Sequence, residues 1–248
     1  NLFQVFFLKL FRKEIIHVIH DPIAHPDNKS WLTNLITDIL CRISDKIILH
    51  NNEFINLYKK KYHNVYSVPL LGYDINFQKK KLNKSLLFFG RIEPYKGLIN
   101  ILKYNKKRCF DGWEIIIAGK GHIEDELYKI KNIKILNSFI NDDELKKMIS
   151  NASYVFLPYD SATQSAVILY SYSLSTPVIS HNVGALKEYV NDNLGLIFNK
   201  GDYKKLKGHL QNISLSKYLN QVDNVEVFFE NNFSDIKIKN NIWEVIKK

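Results

Sequence analysis

The sequence predicts an α/β protein built on two parallel sheets, and three observations predict it. Short apolar runs alternate along the chain with segments of helical periodicity. A lysine-rich break, Gln78–Lys84 (QKKKLNK), leaves three such runs before it and six after it. Polar groups collect just past the ends of the runs, and in open parallel sheets that carboxyl edge is where ligands bind. At 248 residues the chain has room for one large domain or two small ones.

Strands are expected at Ile15–His20, Lys46–His50 and Val65–Val68 before the break. After it they are expected at Leu86–Phe89, Glu114–Ala118, Ile133–Leu136, Tyr154–Leu157, Pro177–Ser180 and Leu196–Phe198. Each is a short apolar run bounded by polar or turn residues. Helical spacing covers Ser30–Arg42, Glu53–Lys61, Leu98–Asn105, Glu124–Ile130, Asp142–Asn151, Thr163–Leu174, Ala185–Val190 and Asp202–Leu210. The six later strands match a complete doubly wound unit, and the earlier three half of one.

The amino-terminal segment, NLFQVFFLKLFRK, carries its charge last, whereas a secretory signal carries it first. Two readings stand. Phe3, Phe6, Phe7, Leu8, Leu10 and Phe11 form the end of a core helix, with the starting units of the first domain missing. Alternatively, with Lys9, Arg12 and Lys13 they form an amphipathic helix that binds an anionic membrane surface peripherally.

The net charge is +10, from 35 basic and 25 acidic residues, which favours phosphates, nucleic acid or an acidic membrane as partners. A nucleic-acid binder should interleave its cations with stacking aromatics. Here Phe88, Phe89, Tyr154 and Phe156 lie in apolar runs, so nucleic acid is not the expected partner. Cys41 and Cys109 stand far apart and make neither a metal pattern nor a disulfide framework, as in a reducing compartment. No apolar run reaches the roughly 18 residues of a membrane span. No Asp-x-Asp pair offers to hold a metal beside a diphosphate, and Glu124-x-Glu126 opens a helix, where acids complement the dipole.

The stretch LLFFGRIEPYKGL, Leu86 to Leu98, carries the sharpest chemical signal. A strand ends in a turn holding Arg91 and Lys96. A guanidinium forks two phosphate oxygens, an ammonium adds a compact charge, and Gly90 and Gly97 allow close backbone approach. A diphosphate fits that pair. Gly119-Lys120-Gly121 offers backbone N–H groups ahead of a helix, and the helix start near Gln164–Ala166 offers more. Taken singly, each could be a solvated loop, a tight turn or an ordinary helix cap.

Taken in order, GRIEPYKG, IIIAGKG, NSFINDDELKKMISNASYVFLPY, ATQSAVILYSYSLSTPVISHNVGALKEYV, GLIF and GD resemble the donor half of glycosyltransferase family 4. These are retaining enzymes with two Rossmann-like domains in the GT-B arrangement. The resemblance is strong over Leu86–Asp202 and weaker over Ile15–Gly72. It implies an incomplete first, acceptor-side domain at residues 1–77, a linker at 78–84 and a donor-binding domain at 85–225. A closing helix within 226–248 would return to the first domain, and closure about the linker would exclude water.

The resemblance also assigns roles. Arg91, Lys96, Gly90, Ser165 and Ala166 hold the donor diphosphate. Gly119, Gly121, Phe139, Ile140 and Tyr170 meet the nucleotide, and Thr163 and Gln164 meet the sugar. His20, in VIHDPIAHP, stands where the family has an active-site histidine. The reaction expected is metal-independent sugar transfer from a nucleoside-diphosphate-sugar to a glycan or lipid-linked acceptor. It needs no cofactor, and its setting would be polysaccharide synthesis for the cell envelope, in the cytoplasm or at the inner face of its membrane. Two departures stand out. Ala162 and Tyr170 replace two glutamates common in the family, the second of which binds ribose, and Ser138 replaces a glycine. A non-catalytic nucleotide-sugar-binding module is the alternative those departures raise.

Overall fold

The structure, a computed structural model, describes residues 2–20, 22, 31–70, 73–103, 110–163 and 165–247. In chain order the elements of the first part are α1 (Leu2–Leu10), β1 (Ile16–Ile19), α2 (Trp31–Ile43), β2 (Lys46–Leu49), α3 (Ile55–Lys59) and β3 (Val65–Ser67). Then come β4 (Ser85–Phe89), α4 (Leu98–Lys103), β5 (Glu114–Ala118), β6 (Ile133–Leu136), α5 (Asp142–Asn151), β7 (Tyr154–Leu157) and α6 (Ala166–Ser173). The chain closes with β8 (Val178–His181), α7 (Leu186–Tyr189), β9 (Gly195–Phe198), α8 (Tyr203–Asn212), α9 (Leu215–Phe233) and α10 (Asp235–Ile246).

Two compact units result. Asn1–Leu71 with Ile236–Lys248 forms unit 1, and Gly72–Asp235 forms unit 2. Unit 1 carries a parallel sheet of order β1-β2-β3, with Ile16 opposite Lys46 and Ile47 opposite Val65. Ile47 and Leu49 are buried with Ile19, Cys41, Tyr58 and Val65 on one face. Ile48 and Val68 pack with Val245 of α10 on the other. The buried Lys46 ammonium ties α10 down by donating to the Ile246 carbonyl at 2.7 Å, and it pairs with Glu14 at 2.5 Å.

Unit 2 is a six-stranded parallel sheet of order β6-β5-β4-β7-β8-β9. The order reverses between β4 and β7, which opens a crevice at their carboxyl ends. Its strands are apolar without alternation because helices cover both faces. Leu86, Leu87, Phe88, Ile115, Ile117, Val155, Phe156 and Leu157 are all fully buried. At the start of α5, Asn141 Oδ1 accepts from the Glu144 amide at 2.9 Å, and Asp142, Asp143 and Glu144 fill the first turn.

The domain boundaries read from the sequence need correction. Gln78–Lys84 is not a free linker: the Gln78 amide donates to Ser175 Oγ at 2.9 Å, and the Lys80 ammonium is buried in unit 2. That ammonium donates to the carbonyls of Ile149 and Ser150 and to Thr176 Oγ1, at 3.1, 2.5 and 2.9 Å. The partition falls earlier, at Leu71, because Asn76 already bonds to the Ser173 carbonyl and Phe77 meets Phe229. At the other end, a boundary at 225 would cut α9 in half. Tyr218, Gln221, Val222, Val225, Phe229 and Phe233 recur every three or four residues along α9 and bury one face. The chain breaks instead at the extended Ser234 and returns to unit 1 as α10. Glu124–Ile130, expected as an α-helix, is a short 3-10 turn at Asp125–Lys129.

Candidate active site at the carboxyl edge of the six-stranded sheet

The loop after β4 places its two cations differently. Gly90 turns with φ +103°, and a Cβ there would sit 3.1 Å from Lys96 Nζ, so the glycine clears room for that ammonium. Pro94–Lys96 forms one 3-10 turn closed by Gly97 at φ +64°. A Cβ on Gly97 would stand 2.0 Å from the Pro158 carbonyl, so only glycine lets the turn press against the loop after β7. Lys96 is buried, its Nζ lying 5.8 Å from the centre of the Phe88 ring and 5.3 Å from that of Tyr159. Among the described residues no carboxylate pairs with it. Burial, and then the charge of Arg91, lower its pKa to about 8. Arg91 is the opposite case, exposed at the rim, with Glu93 Oε1 at 3.7 Å as its one ion-pair partner among the described residues. The turn thus presents one desolvated ammonium and one exposed guanidinium to the same edge.

The amides of Gly119 and Gly121, expected to face an anion, both have partners within the protein. The Gly119 amide donates to the Leu136 carbonyl at 3.0 Å, and the Gly121 amide to Asn137 Oδ1 at 3.1 Å. The two glycines are there for proximity. A Cβ at 119 would lie 2.0 Å from the Gly90 carbonyl, and one at 121 would lie 2.3 Å from that of Ile92. With the Ile92 amide on the Lys120 carbonyl at 2.9 Å, they lock the loop that carries the cations. The Gly90 amide is used as well, on the Ala118 carbonyl at 3.0 Å, so Gly90 serves the site through space and shape.

Past β7, Tyr159 is buried beneath Lys96, with Ser165 beside its hydroxyl. The Asp160 amide donates to the Tyr95 carbonyl at 2.7 Å, which closes this loop onto the Lys96 turn. Thr163 is buried, and Gln164 lies outside the described residues. The helix expected from Thr163 starts only at Ala166, because Ser165 is extended at φ −149°. Ser165 and Ala166 therefore stand where helix α6 opens toward the cations' edge. Tyr170, one turn further along, stacks on Tyr73 at 4.5 Å and meets Phe89 edge-on at 6.4 Å. Its ring is thus spoken for by two aromatic neighbours. Phe139 is 85% exposed in the loop before α5, and Ile140 follows it half-buried.

In unit 1, His20 lies at the carboxyl end of β1 with its ring 4.8 Å from that of His50, which follows β2. His50 Nδ1 bonds the Val68 carbonyl at 3.0 Å. The pairing follows from the parallel register, since Ile19 stands opposite Leu49 and the next residue of each strand is a histidine. Two site residues were not marked in the sequence reading: Tyr73 and His50. Only the parallel register would have brought His50 to His20. Among the described residues no group of three or more His, Cys, Asp or Glu side chains could hold a metal ion, and no described helix is long and apolar enough to cross a membrane.

Comparison with known proteins decides what this edge belongs to. Residues 74–225 match the family model for glycosyl transferases group 1. The chain belongs to that family. A protein from Klebsiella pneumoniae, described as an uncharacterised 41.2 kDa protein in the cps region, is 23% identical over 98% of this chain and 74% of its own length. Among solved structures, Anabaena HepE in complex with UDP superposes with a TM-score of 0.80 at 16% identity, over 98% of this chain and 75% of its own. Sucrose-phosphate synthase from Thermosynechococcus elongatus gives 0.77 at 13% identity, over 97% and 70%. TarM gives 0.73 at 13% identity, over 98% and 53%. The fold is accordingly that of the GT-B glycosyltransferases, and the family's chemistry is sugar transfer.

Proposed function

We propose that this glycosyltransferase uses a nucleoside-diphosphate-sugar and passes the sugar, with retention, to a glycan or lipid-linked acceptor. One observation carries the reading: a buried ammonium without a carboxylate partner, Lys96, beside an exposed guanidinium, Arg91, at the carboxyl edge of a doubly wound sheet. A desolvated lysine is poised for an anion, and an exposed arginine can close over it. Together they would neutralise the negative charge that grows on the leaving diphosphate, an electrostatic form of catalysis. Two protein cations in that role make a divalent metal unnecessary, so a chelator is expected to leave transfer unchanged. His20, in unit 1, is assigned to the transferred sugar: His20→Ala should lower turnover and spare UDP binding. The HepE structures with UDP and with UDP-glucose, and the cps-region setting of the Klebsiella relative, support a sugar nucleotide and a surface polysaccharide.

The test compares UDP with UMP on the intact chain. UDP at about 100 times its dissociation constant should stabilise the fold by roughly 2.7 kcal/mol, about 5–10 °C in melting temperature. Lys96→Ala or Arg91→Ala should weaken UDP by roughly ten- to a hundredfold, since one charge-assisted hydrogen bond contributes about 1.5–3 kcal/mol, and should spare UMP. The pH dependence has a fixed sign. Below pH 8 Lys96 already carries its proton, whereas above it binding must take a proton up, so affinity should fall as pH rises past about 8. A pH-independent UDP affinity between 7 and 10 would contradict the assignment of Lys96. A non-catalytic module would bind UDP in the same way and fail to transfer sugar from any nucleotide-sugar.

A further inference from the structure

We propose that His181 is a positioning residue for Lys96: it fixes the Tyr159 main chain, and with it the aromatic surface on which the Lys96 ammonium rests. The inference builds on the reading of Lys96 as a diphosphate contact. His181 ends β8, is 2% exposed, and packs its ring edge-on against Phe198 at 4.7 Å. Its Nδ1 lies 3.0 Å from the Tyr159 carbonyl. A carbonyl only accepts, so Nδ1 carries the proton and Nε2 of the neutral ring does not. Nε2 is buried and has no hydrogen-bond partner among the described residues. Burial holds the ring's pKa below its ordinary value, and the neutral tautomer that donates from Nδ1 is thereby maintained.

The consequence runs through one residue. Tyr159 is fixed on both sides, its own carbonyl by His181 and the following amide, that of Asp160, by the Tyr95 carbonyl at 2.7 Å. Its ring lies 5.3 Å from Lys96 Nζ and meets Tyr95 edge-on at 6.3 Å. Strand β8 thus reaches the cation of the β4 loop by way of the β7 loop. Other groups bear on the two ends. Arg91 and Glu93 face Lys96, Asp160 and Lys200 act on His181, and Ser165 lies by the Tyr159 hydroxyl. A histidine with only a packing role would need its volume. A positioning histidine needs its Nδ1 donor at this one place.

That difference defines the experiment. In His181→Asn the side-chain amide Nδ2 takes the place of Nδ1 and keeps the donor, at the loss of ring volume. In His181→Leu most of the volume stays and the donor goes. Dissociation constants for UDP and UMP are measured on the intact chain by calorimetry from pH 7 to 10. We expect His181→Leu to weaken UDP by roughly tenfold, to leave UMP nearly unchanged, and to move the midpoint near pH 8 at which UDP affinity starts to fall. His181→Asn should restore both readouts, even if it melts lower. Equal UDP affinity in wild type and His181→Leu, parallel losses of UDP and UMP, or a His181→Asn no better than His181→Leu would each overturn the proposal. If His181→Leu does not fold, His181→Gln, whose amide extends past the Nδ1 position, takes its place. Lys96→Ala separates the two readings. UDP binding that survives it removes the diphosphate assignment itself, whereas binding lost there and kept in His181→Leu removes only the role of His181.

Discussion

All ten glycines of the chain lie in unit 2. Its β4 is buried at all five positions, and its site loops touch backbone to backbone at Gly97, Gly119, Gly121 and Gly184. In unit 1, β1 has a half-buried Ile16 and an exposed Val18, and α1 holds Phe3, Phe6 and Phe7 out to solvent, with Phe11 exposed just after it. Similar apolar runs therefore produce a closely packed sheet in one unit and a partly uncovered one in the other. Lys96 can be kept desolvated only where its surroundings cannot relax around it. Glycine contacts among the loops after β5, β4, β7 and β8 supply that rigidity in unit 2, whereas the two histidines of unit 1 meet ring to ring.

Substitutions should expose this contrast, and the largest effects belong to unit 2. Phe156→Ala, in the fully buried β7, should lower stability by about 3–5 kcal/mol. Gly184→Ala should cost about 3 kcal/mol, because its Cβ would stand 1.7 Å from the Ala162 carbonyl at φ +48°. Thermal melts of each variant measure both. A Gly184→Ala protein that melts like wild type would mean that the loops are free to separate, and the rigidity argued for Lys96 would go with it.

An intermediate effect is expected at Lys80. Lys80→Met keeps the stem and removes an ammonium that donates to three oxygens. The Ser150 carbonyl loses its 2.5 Å donor, while the Ile149 carbonyl keeps Thr176 Oγ1 at 2.9 Å. Unsatisfied buried acceptors cost about 1–3 kcal/mol, so denaturant melts should show a loss in that range. Burial lowers the Lys80 pKa to about 7, below that of the unfolded chain, so the wild type should gain stability as pH rises from about 7 toward 10. Lys80→Met should flatten that rise. A full loss of the rise on Lys96→Ala alone would assign it to the other lysine.

How much of this was legible follows from which forces are local. The six strands of unit 2 could be read because a parallel sheet covered on both faces demands unbroken apolar runs, and Glu114–Ala118, Ile133–Leu136 and Tyr154–Leu157 were placed to the residue. Arg91 and Lys96 could be read as a pair, but their inequality could not, since it depends on Tyr159 arriving from the loop after β7 to meet Lys96 alongside Phe88 of β4. Gln78–Lys84 was misread because three lysines in a row resemble a solvated linker, and only a distant cage of carbonyls takes Lys80 in. Gly119 and Gly121 also owe their part to a neighbour distant in the chain. A Gly-x-Gly turn says that something comes close, and here it is the neighbouring loop. The helix α9 went unmarked because its buried face includes the polar Gln221, which donates to the Asp192 and Gly195 carbonyls.

The smallest effect should come from the most aromatic segment of the chain. Phe3 is 78% exposed and Phe7 53%, and the Phe7 ring tilts against that of Phe11 at 4.8 Å. Removing surface aromatics that bury little should change stability by no more than about 0.5 kcal/mol each. Phe3→Ser and Phe7→Ser should therefore melt like wild type, while Phe156→Ala in the same assay melts far lower. An exposed aromatic face also binds apolar dyes, so dye fluorescence should fall in the two serine variants with no change in melting. A melting loss comparable to that of Phe156→Ala would show that something covers α1 in solution, and light scattering would then report whether a second copy does so. The asymmetry between the units would in that case describe the isolated chain, with the uncovered face of unit 1 completed by association.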